Sequence, residues 1–169
     1  KRDGDVLVLI GETRGHLGQS IYLREIEGRE EGAAPPVDLA AEKKHGAFVR
    51  GLIEQGRVDT CHDLSDGGLL TAIAEMALPK RIGASIGQAS IPDAIAFWFG
   101  EDQARYLIAA PLAEAQKIVE EARAATIPVA ELGKTGGSEI VIDGNDRVAV
   151  AKLGSAHEAW FPDFMKAEL

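Results

Sequence analysis

The sequence predicts an α+β fold in which helices cover a mixed β-sheet. Short apolar runs of strand length alternate with segments of helical periodicity, which indicates strands packed beneath helices. Near the C-terminus, the segment SEIVIDGNDRVAV is typical of a β-hairpin, because two apolar runs flank a turn at residues 143–146. Alternation of strands and helices would by itself favour a parallel sheet. A hairpin pairs its strands antiparallel, so a mixed sheet is the better prediction.

The composition is that of an ordinary globular protein and disfavours polyanionic partners. The chain has 169 residues, 46% hydrophobic and 27% charged, with a net charge of -9. We therefore expect no nucleic-acid or membrane partner. The single cysteine, Cys61, excludes an internal disulfide, suggests a reducing compartment and is expected to be an inert core residue. No apolar run is long enough to span a membrane, which favours a cytoplasmic location.

The N-terminal elements follow from apolar runs and capping residues. The continuous apolar run at residues 5–10 predicts a strand buried on both faces, and a short helix is predicted at 20–26. After a charged, proline-rich connector at 27–36, Asp38 caps a helix that runs to about residue 55. The inward face of this helix is predicted to carry Leu39, Phe48, Val49, Leu52 and Ile53.

The later elements follow from the same periodicities. Ser155 and Glu158 form a capping box for a last short helix that ends near Pro162, where proline interrupts helical hydrogen bonding. A helix with Pro111 at its first position is predicted to turn a stripe inward, formed by Leu112, Ala115, Ile118, Val119 and Ala122. The remaining predicted elements are strands at 58–62, 84–89, 105–109 and 129–133 and a helix from Leu69.

Two glycines, Gly67 and Gly68, open the helix that begins near Leu69, and each costs about 1 kcal/mol relative to alanine. Because glycine has no side chain, a ligand or another segment of the protein can approach the N–H groups at a helix N-terminus that lack an intrahelical partner. The approaching group is either a ligand or a closely packed neighbouring strand, and the residues leave both alternatives open. The nearby Asp66 disfavours a bare phosphate, because its charge competes for the same N–H groups. Asp63 and Ser65 complete this polar stretch, which we expect to face an open groove.

A second polar stretch, Glu101, Asp102 and Gln103, precedes the strand that begins at Arg105. Polar groups on a short loop before a buried strand commonly lie at a sheet edge. The alternative is a turn with a solvated acidic pair. An exposed ion pair between Arg105 and this loop contributes about 0–1 kcal/mol, so its loss is expected to have little effect on stability. Carboxylates leave oxygen ligation of a magnesium–nucleotide complex open, whereas four scattered histidines and one thiol support no His/Cys metal site.

Four stretches, in register along the chain, resemble one family. They are GETRGHLGQS near the start, PPVDLAAEKK before the first long helix, HDLSDGGL followed by AIAEM, and FGEDQAR before an apolar strand. Their order and spacing are similar to the C-terminal part of the phosphoribosylformylglycinamidine synthase family, in the aminoimidazole ribonucleotide synthetase superfamily. DLSDGG resembles the second of the two modules of that synthetase. The family pattern has serine where this chain carries Asp102.

The resemblance implies a three-layer α/β/α domain, partly ferredoxin-like. It implies that the parent protein is an ATP-dependent carbon–nitrogen ligase of purine biosynthesis, which converts formylglycinamide ribonucleotide and ammonia from glutamine to formylglycinamidine ribonucleotide. ATP and Mg²⁺ would serve the parent enzyme. The implied partners are upstream N-terminal domains of the same chain, a glutaminase subunit and a small accessory subunit.

The chain begins directly before a strand and without methionine, so we expect residues 1–169 to be one domain excised from a longer polypeptide. The resemblance places the catalytic and principal ATP and magnesium residues outside it, so the isolated domain is expected to be inactive, with no tightly bound cofactor. Two rival hypotheses remain: a structural and docking module of the same complex, and a domain of a selenophosphate synthetase or thiamine phosphate kinase. The predicted substrate or nucleotide cleft comprises Asp63, Ser65, Asp66, Gly67, Gly68, Glu101, Asp102, Gln103 and Arg105.

Overall fold

The computed structural model describes residues 2–87 and 93–167. In this part of the chain, seven strands form one sheet in the order β2-β4-β1-β5-β3-β6-β7. The strands are β1 (Val6–Ile10), β2 (Cys61–Asp63), β3 (Ala84–Ile86), β4 (Tyr106–Ala110), β5 (Val129–Thr135), β6 (Glu139–Ile142) and β7 (Asp146–Ala149). The helices are α1 (Ile21–Glu25), α2 (Leu39–Glu54), α3 (Gly68–Ala77), α4 (Ala94–Phe99), α5 (Leu112–Ala124) and α6 (Val150–Ala167).

The sheet is mixed, as the sequence predicts. β3 and β6 are parallel, whereas β1 pairs antiparallel with both β4 and β5. The predicted hairpin is confirmed, because β6 and β7 pair antiparallel across the turn that follows Ile142. Asp143 and Gly144 adopt positive φ values of 48° and 75° in this turn, a conformation typical of tight hairpins.

β1 is the centre of the fold and is buried on both faces, as predicted. Leu7 and Leu9 pack with α3, α4 and the start of α6, in one apolar core. Val6, Val8 and Ile10 point to the opposite face, where α2 and α5 supply the second core. Successive side chains of a strand point to opposite faces, so one apolar strand serves two cores. The result is the expected three-layer α/β/α arrangement.

Helix α2 begins where predicted, but its buried face is narrower than expected. The Asp38 side chain accepts hydrogen bonds from the N–H groups of Ala40 and Ala41, which satisfies the helix start. Val49 and Leu52 are buried, whereas Leu39 and Ile53 are 76% and 47% exposed. The prediction that these last two residues face inward is wrong, because they lie at the start and the margin of the buried stripe.

Helix α4 was not predicted. It has six residues, too few for a periodic pattern to identify it. Asp93 caps its start by accepting from Ala96 N, and Phe97 and Trp98 are buried. The predicted strand at 84–89 is observed from Ala84 to Ile86, and its last two residues lie outside the described residues. The predicted strand at 58–62 is observed later, as β2.

Helix α6 contradicts the predicted short C-terminal helix. It begins at Val150 and continues through Pro162 to Ala167. Ser155 is not a cap, since its hydroxyl donates to the carbonyl of Ala151 within the helix. The helix begins early because Val150 packs into the core directly after β7. An interior proline costs about 3 kcal/mol of helix stability, which is why the sequence favoured an end at this residue.

Helix α5 provides a matched test of the second core. Ile118 is fully buried and Leu112, on the same helix, is 47% exposed. We expect Ile118→Ala to lower the free energy of unfolding by about 2–5 kcal/mol, because it leaves a cavity. Leu112→Ala is expected to change it by no more than about 0.5 kcal/mol. Urea denaturation measures both, and equal effects would contradict the assigned packing.

Candidate functional site

Three loops meet at one end of the sheet because of the strand directions. β1 and β2 both pair antiparallel with β4, and Ile10 and Asp63 lie opposite Tyr106 on its two sides. The loops that follow β1 and β2 therefore lie beside the loop that precedes β4. The sequence-predicted proximity of the glycine pair and the acidic loop is observed, since Gly67 N donates to Glu101 Oε1 at 2.8 Å.

Asp102 holds the turn at residues 14–16. Its Oδ2 atom accepts hydrogen bonds from Arg14 N at 3.0 Å and Gly15 N at 2.9 Å. Its Oδ1 atom accepts from His16 N at 3.3 Å. Three consecutive N–H groups that converge in this way form an anion-binding concavity. The Asp102 side chain is only 8% exposed, so it fills this concavity instead of facing solvent.

Glu101 joins the starts of two helices. Its Oε1 atom accepts from Ile21 N, the first residue of α1, and from Gly67 N, directly before α3, both at 2.8 Å. Its own N–H donates to His16 O at 2.8 Å. A carboxylate near helix N-termini is stabilised by unpaired N–H groups and by the helix dipole. Glu101 therefore anchors the main chain directly before α3, where the N-cap residue Gly67 has no side chain to cap the helix.

Arg105 lies fully buried beneath the acidic loop. Its guanidinium donates to Asp102 O at 3.0 Å, to Thr13 Oγ1 at 3.1 Å and to Gly100 O at 2.6 Å. The distance from its Nη1 to Asp102 Oδ2 is 4.0 Å. Burial lowers the pKa of Arg105, and the negative charges of Asp102 and Glu101 oppose that shift. The expectations of an exposed ion pair and a solvated acidic pair are both wrong, because all three charged side chains are buried.

The glycine pair is also buried, so the expected open presentation of this main chain is corrected. A Cβ on Gly68 would lie 2.6 Å from Gly100 O and 2.8 Å from Phe99 C. Gly68 N donates to Ser65 O at 3.1 Å, inside the same turn. Of the two alternatives that the sequence left open for Gly68, close packing matches the geometry. The neighbour is the end of α4 and not the expected strand.

Further residues of the site were not predicted from the sequence. Ala104 has a positive φ of 59°, a strained conformation that clusters at functional sites. Its carbonyl lies 2.8 Å from Nδ1 of the buried His45 of α2. Thr13, which accepts from Arg105, follows β1 in the stretch GETRG. A polar run directly after a buried strand was the available signal for Thr13, whereas no local signal connects His45 to this loop.

Two grooves border α2 beside the acidic loop. The first, of about 350 Å³, is lined by residues that include Arg14, Asp38, Lys44, Asp102 and Gln103. The second, of about 630 Å³, is lined by residues that include Glu42, Asp63, Ser65, Gln103, Arg105 and Tyr106. Gln103 borders both. Among the predicted cleft residues, Asp66, Gly67, Gly68 and Glu101 line neither of these two grooves.

The second groove contains two weakly acidic side chains that stay protonated near neutral pH. Burial raises the pKa of Tyr106 to about 12, and a hydrogen bond of 2.5 Å to Glu42 adds to the shift. Burial also raises the pKa of the Cys61 thiol to about 11. A protonated thiol is a poor nucleophile, so the half-buried Cys61 gives no support for thiolate chemistry.

Neither a metal centre nor a membrane span is found in the described ranges. Within 2–87 and 93–167, no group of three or more His, Cys, Asp or Glu side chains is arranged to hold a metal ion. The oxygens of Glu101 and Asp102 accept main-chain hydrogen bonds instead. These residues therefore do not fit a magnesium site. No helix in the same ranges is long and apolar enough to cross a membrane.

The fold and loop arrangement define an α/β/α domain of a known class. Residues 2–144 match the family described as AIR synthase related protein, C-terminal domain, and the chain belongs to this family. Its relatives include the phosphoribosylformylglycinamidine synthase subunit PurL of Bradyrhizobium sp. (strain ORS 278), 52% identical over 168 residues. The same subunit of Methylocella silvestris is 47% identical over 169 residues. The chain spans 23% of the length of each relative, and 98% and 100% of the chain is matched.

Solved structures share the fold. The structure described as T. maritima PurL complexed with FGAR superposes with a TM-score of 0.74 at 20% identity, over 91% of this chain and 28% of that chain. A thiamine-monophosphate kinase from Stenotrophomonas maltophilia K279a superposes with a TM-score of 0.56 at 19% identity, over 85% of this chain and 51% of that chain. The predicted α/β/α fold and the resemblance to the synthetase family are confirmed.

Replacing Arg105 tests the buried charge cluster. Arg105→Ala leaves two carbonyls and the Thr13 hydroxyl without their buried donor and removes the positive charge beside two buried carboxylates. We therefore expect a loss of about 3–5 kcal/mol in the free energy of unfolding. The control is Arg50→Ala, since Arg50 pairs with Glu54 at the surface and is 74% exposed. It is expected to cost no more than about 0.5 kcal/mol in the same denaturation experiment. A small effect at Arg105 would restore the solvated-loop interpretation.

Gly68→Ala separates close packing from backbone strain. Gly68 and Gly56 have similar φ values of 70° and 67°, but nothing lies within 4 Å of a Cβ on Gly56. Gly56→Ala is expected to cost about 1 kcal/mol from the left-handed conformation alone. Gly68→Ala adds a clash with the end of α4, for an expected total of about 2–4 kcal/mol. Thermal or urea unfolding measures the difference, and equal losses would exclude the packing role.

Proposed function

We propose that this chain is the C-terminal domain of the second module of an ATP-dependent synthetase. The complete protein would convert formylglycinamide ribonucleotide and ammonia to formylglycinamidine ribonucleotide, with ATP activating the formyl amide oxygen. The observation that carries this proposal is the 52% identity to a phosphoribosylformylglycinamidine synthase subunit over 98% of the chain. A low-identity fold match supports only the architecture, whereas this level of identity over nearly the whole chain supports the family.

The second groove is the face that we propose for the substrate or nucleotide. Asp63, Ser65 and Gln103 are exposed and border it. Its volume of about 630 Å³ lies within the range of small-molecule sites. Glu101, Asp102 and Arg105 are buried around the same loop, so they hold the exposed residues in place. Of the predicted cleft residues, the proposal thus assigns ligand contact to the three exposed ones that border the groove and support to the buried ones, including Gly67 and Gly68. Asp66 is exposed but lines neither groove, so it is assigned no contact.

Cofactor and partners belong to the complete protein in this proposal. T. maritima PurL structures are described as complexes with ATP and with ADP, and another is described as PurLQS. We propose that the complete protein likewise uses ATP with Mg²⁺ and works with a glutaminase subunit and a small accessory subunit in the cytoplasm. Catalytic residues and magnesium ligands would come from the N-terminal domains, which leaves this domain inactive in isolation.

The test uses the complete polypeptide and two variants of the groove. With formylglycinamide ribonucleotide, ATP and ammonium salt, we expect formation of ADP and formylglycinamidine ribonucleotide. Ser65→Ala and Gln103→Ala each remove a side-chain hydrogen bond to the ligand, so each is expected to raise the KM for ATP or for the ribonucleotide about 5–10-fold. The readout is steady-state kinetics with each substrate varied in turn.

Glu120→Gln is the control for these variants. Glu120 is an exposed residue of α5 and lines neither groove. Its KM values are expected to stay within about twofold of the wild type. Absence of turnover in the wild-type protein would reject the proposed reaction. Turnover with unchanged KM values in both groove variants would reject the groove and leave the reaction standing.

The structural and docking hypothesis has one observation in its favour. The charged side chains of the acidic loop, Glu101, Asp102 and Arg105, bind other parts of the domain. Such internal contacts suit a module that braces a larger assembly. Unchanged KM values in the groove variants, together with a weakened affinity for the glutaminase subunit, would favour this second function.

A further inference from the structure

The C-terminal half of α6 carries an uncovered apolar surface. Trp160 and Phe161 are 66% and 61% exposed, and Phe164 and Met165 are 46% and 49% exposed. We call these four residues the α6 patch. The rings of Trp160 and Phe164 stack at a centroid distance of 5.4 Å. Contiguous exposed aromatic side chains on one helix segment are typical of a contact surface.

Among the described residues, the contacts to α6 involve its first half. Val150 is buried in the first core, Gly154 is buried near α3, and Arg81 forms an ion pair with Glu158 at 3.5 Å. Residues 155–166 are all exposed. The patch therefore lies on a part of the helix that extends beyond the described body of the domain.

This exposed half-helix is intrinsically weak. Pro162 lies inside it, where it provides no N–H for the helical ladder and crowds the preceding turn. Helices of this length depend on tertiary packing of their apolar face. The patch residues lie on both sides of Pro162. A surface that covered them would therefore also stabilise the weak part of the helix.

The size of the patch and the length of the relatives identify the kind of partner. A fully exposed aromatic side chain offers about 150–250 Å² of surface. Multiplied by the exposed fractions, the four side chains of the patch together offer on the order of 400–500 Å² of apolar surface. A stable complex of separate molecules buries roughly 800 Å² on each partner. A tethered segment needs less surface, because its effective concentration is about millimolar. The family domain ends at residue 144, before α6, yet the relatives match the chain over 98–100% and are more than four times its length.

We propose that the α6 patch docks onto an apolar surface elsewhere in the same polypeptide, in the portion that the longer relatives carry beyond the stretch they share with this chain. This inference rests on the proposed function, because it requires the longer synthetase polypeptide. Docking anchors this domain to the rest of the synthetase through a helix outside the family domain. The contact is apolar and aromatic, and it covers the helix on both sides of Pro162.

The test is hydrogen exchange of the backbone amides of residues 155–161 and 163–166 in the complete polypeptide, diluted until sedimentation shows a monomer. We expect this segment to exchange slowly in the wild type. Phe164→Glu places a charge in the contact, so exchange is expected to accelerate about tenfold or more. The control is Leu112→Glu, since Leu112 is 47% exposed, close to the 46% of Phe164, but lies on α5. It is expected to leave exchange of 155–166 unchanged.

The other outcomes overturn the proposal. Slow exchange that appears only as the protein dimerises would assign the patch to a second copy. Slow exchange that appears only when the glutaminase and small subunits are added would assign it to a separate partner. Fast exchange under all conditions would show that nothing covers the patch. A natural polypeptide with no residues outside 1–169 would likewise leave no segment to cover it. Turnover measured on the same sample keeps the two proposals apart, since slow exchange without turnover rejects only the reaction.

Discussion

The buried guanidinium of Arg105 is the constraint on which this end of the molecule depends. A cation without access to water must find anions and acceptors within the protein. Arg105 donates to the carbonyls of Gly100 and Asp102 and to the Thr13 hydroxyl, and the nearby carboxylates supply the negative charge. Those carboxylates in turn accept main-chain hydrogen bonds from the loops after β1 and β2. Three irregular segments are therefore ordered by one charge cluster instead of by regular secondary structure.

Much of the architecture was predictable from local patterns. The continuous apolar run of β1, the Asp38 cap of α2 and the turn at Asp143 and Gly144 each encode their element within a few residues. The exceptions have physical causes. A helix of six residues, such as α4, shows no period, and an interior proline normally ends a helix that here continues.

The candidate site was predicted less well than the fold, because its contacts are distant in sequence. The two N–H groups that bind Glu101 lie 80 and 34 positions away. Spacing along the chain indicated which polar residues are close, but it did not indicate which way they point. Burial reversed the expected roles: Gly68 makes room for the end of α4, and the charged loop points inward. Exposed neighbours such as Ser65 and Gln103 are the ones that border a groove.

The carboxyl group of Asp102 accepts the converging main-chain N–H groups of the turn at residues 14–16. Many loops with such converging amides become ordered only when a phosphate or sulfate arrives, and part of the binding free energy is then lost to that ordering. Here the side chain of Asp102 makes these hydrogen bonds within the protein, so the turn needs no external anion. A ligand in a neighbouring groove would therefore not have to offset the immobilisation entropy of this turn.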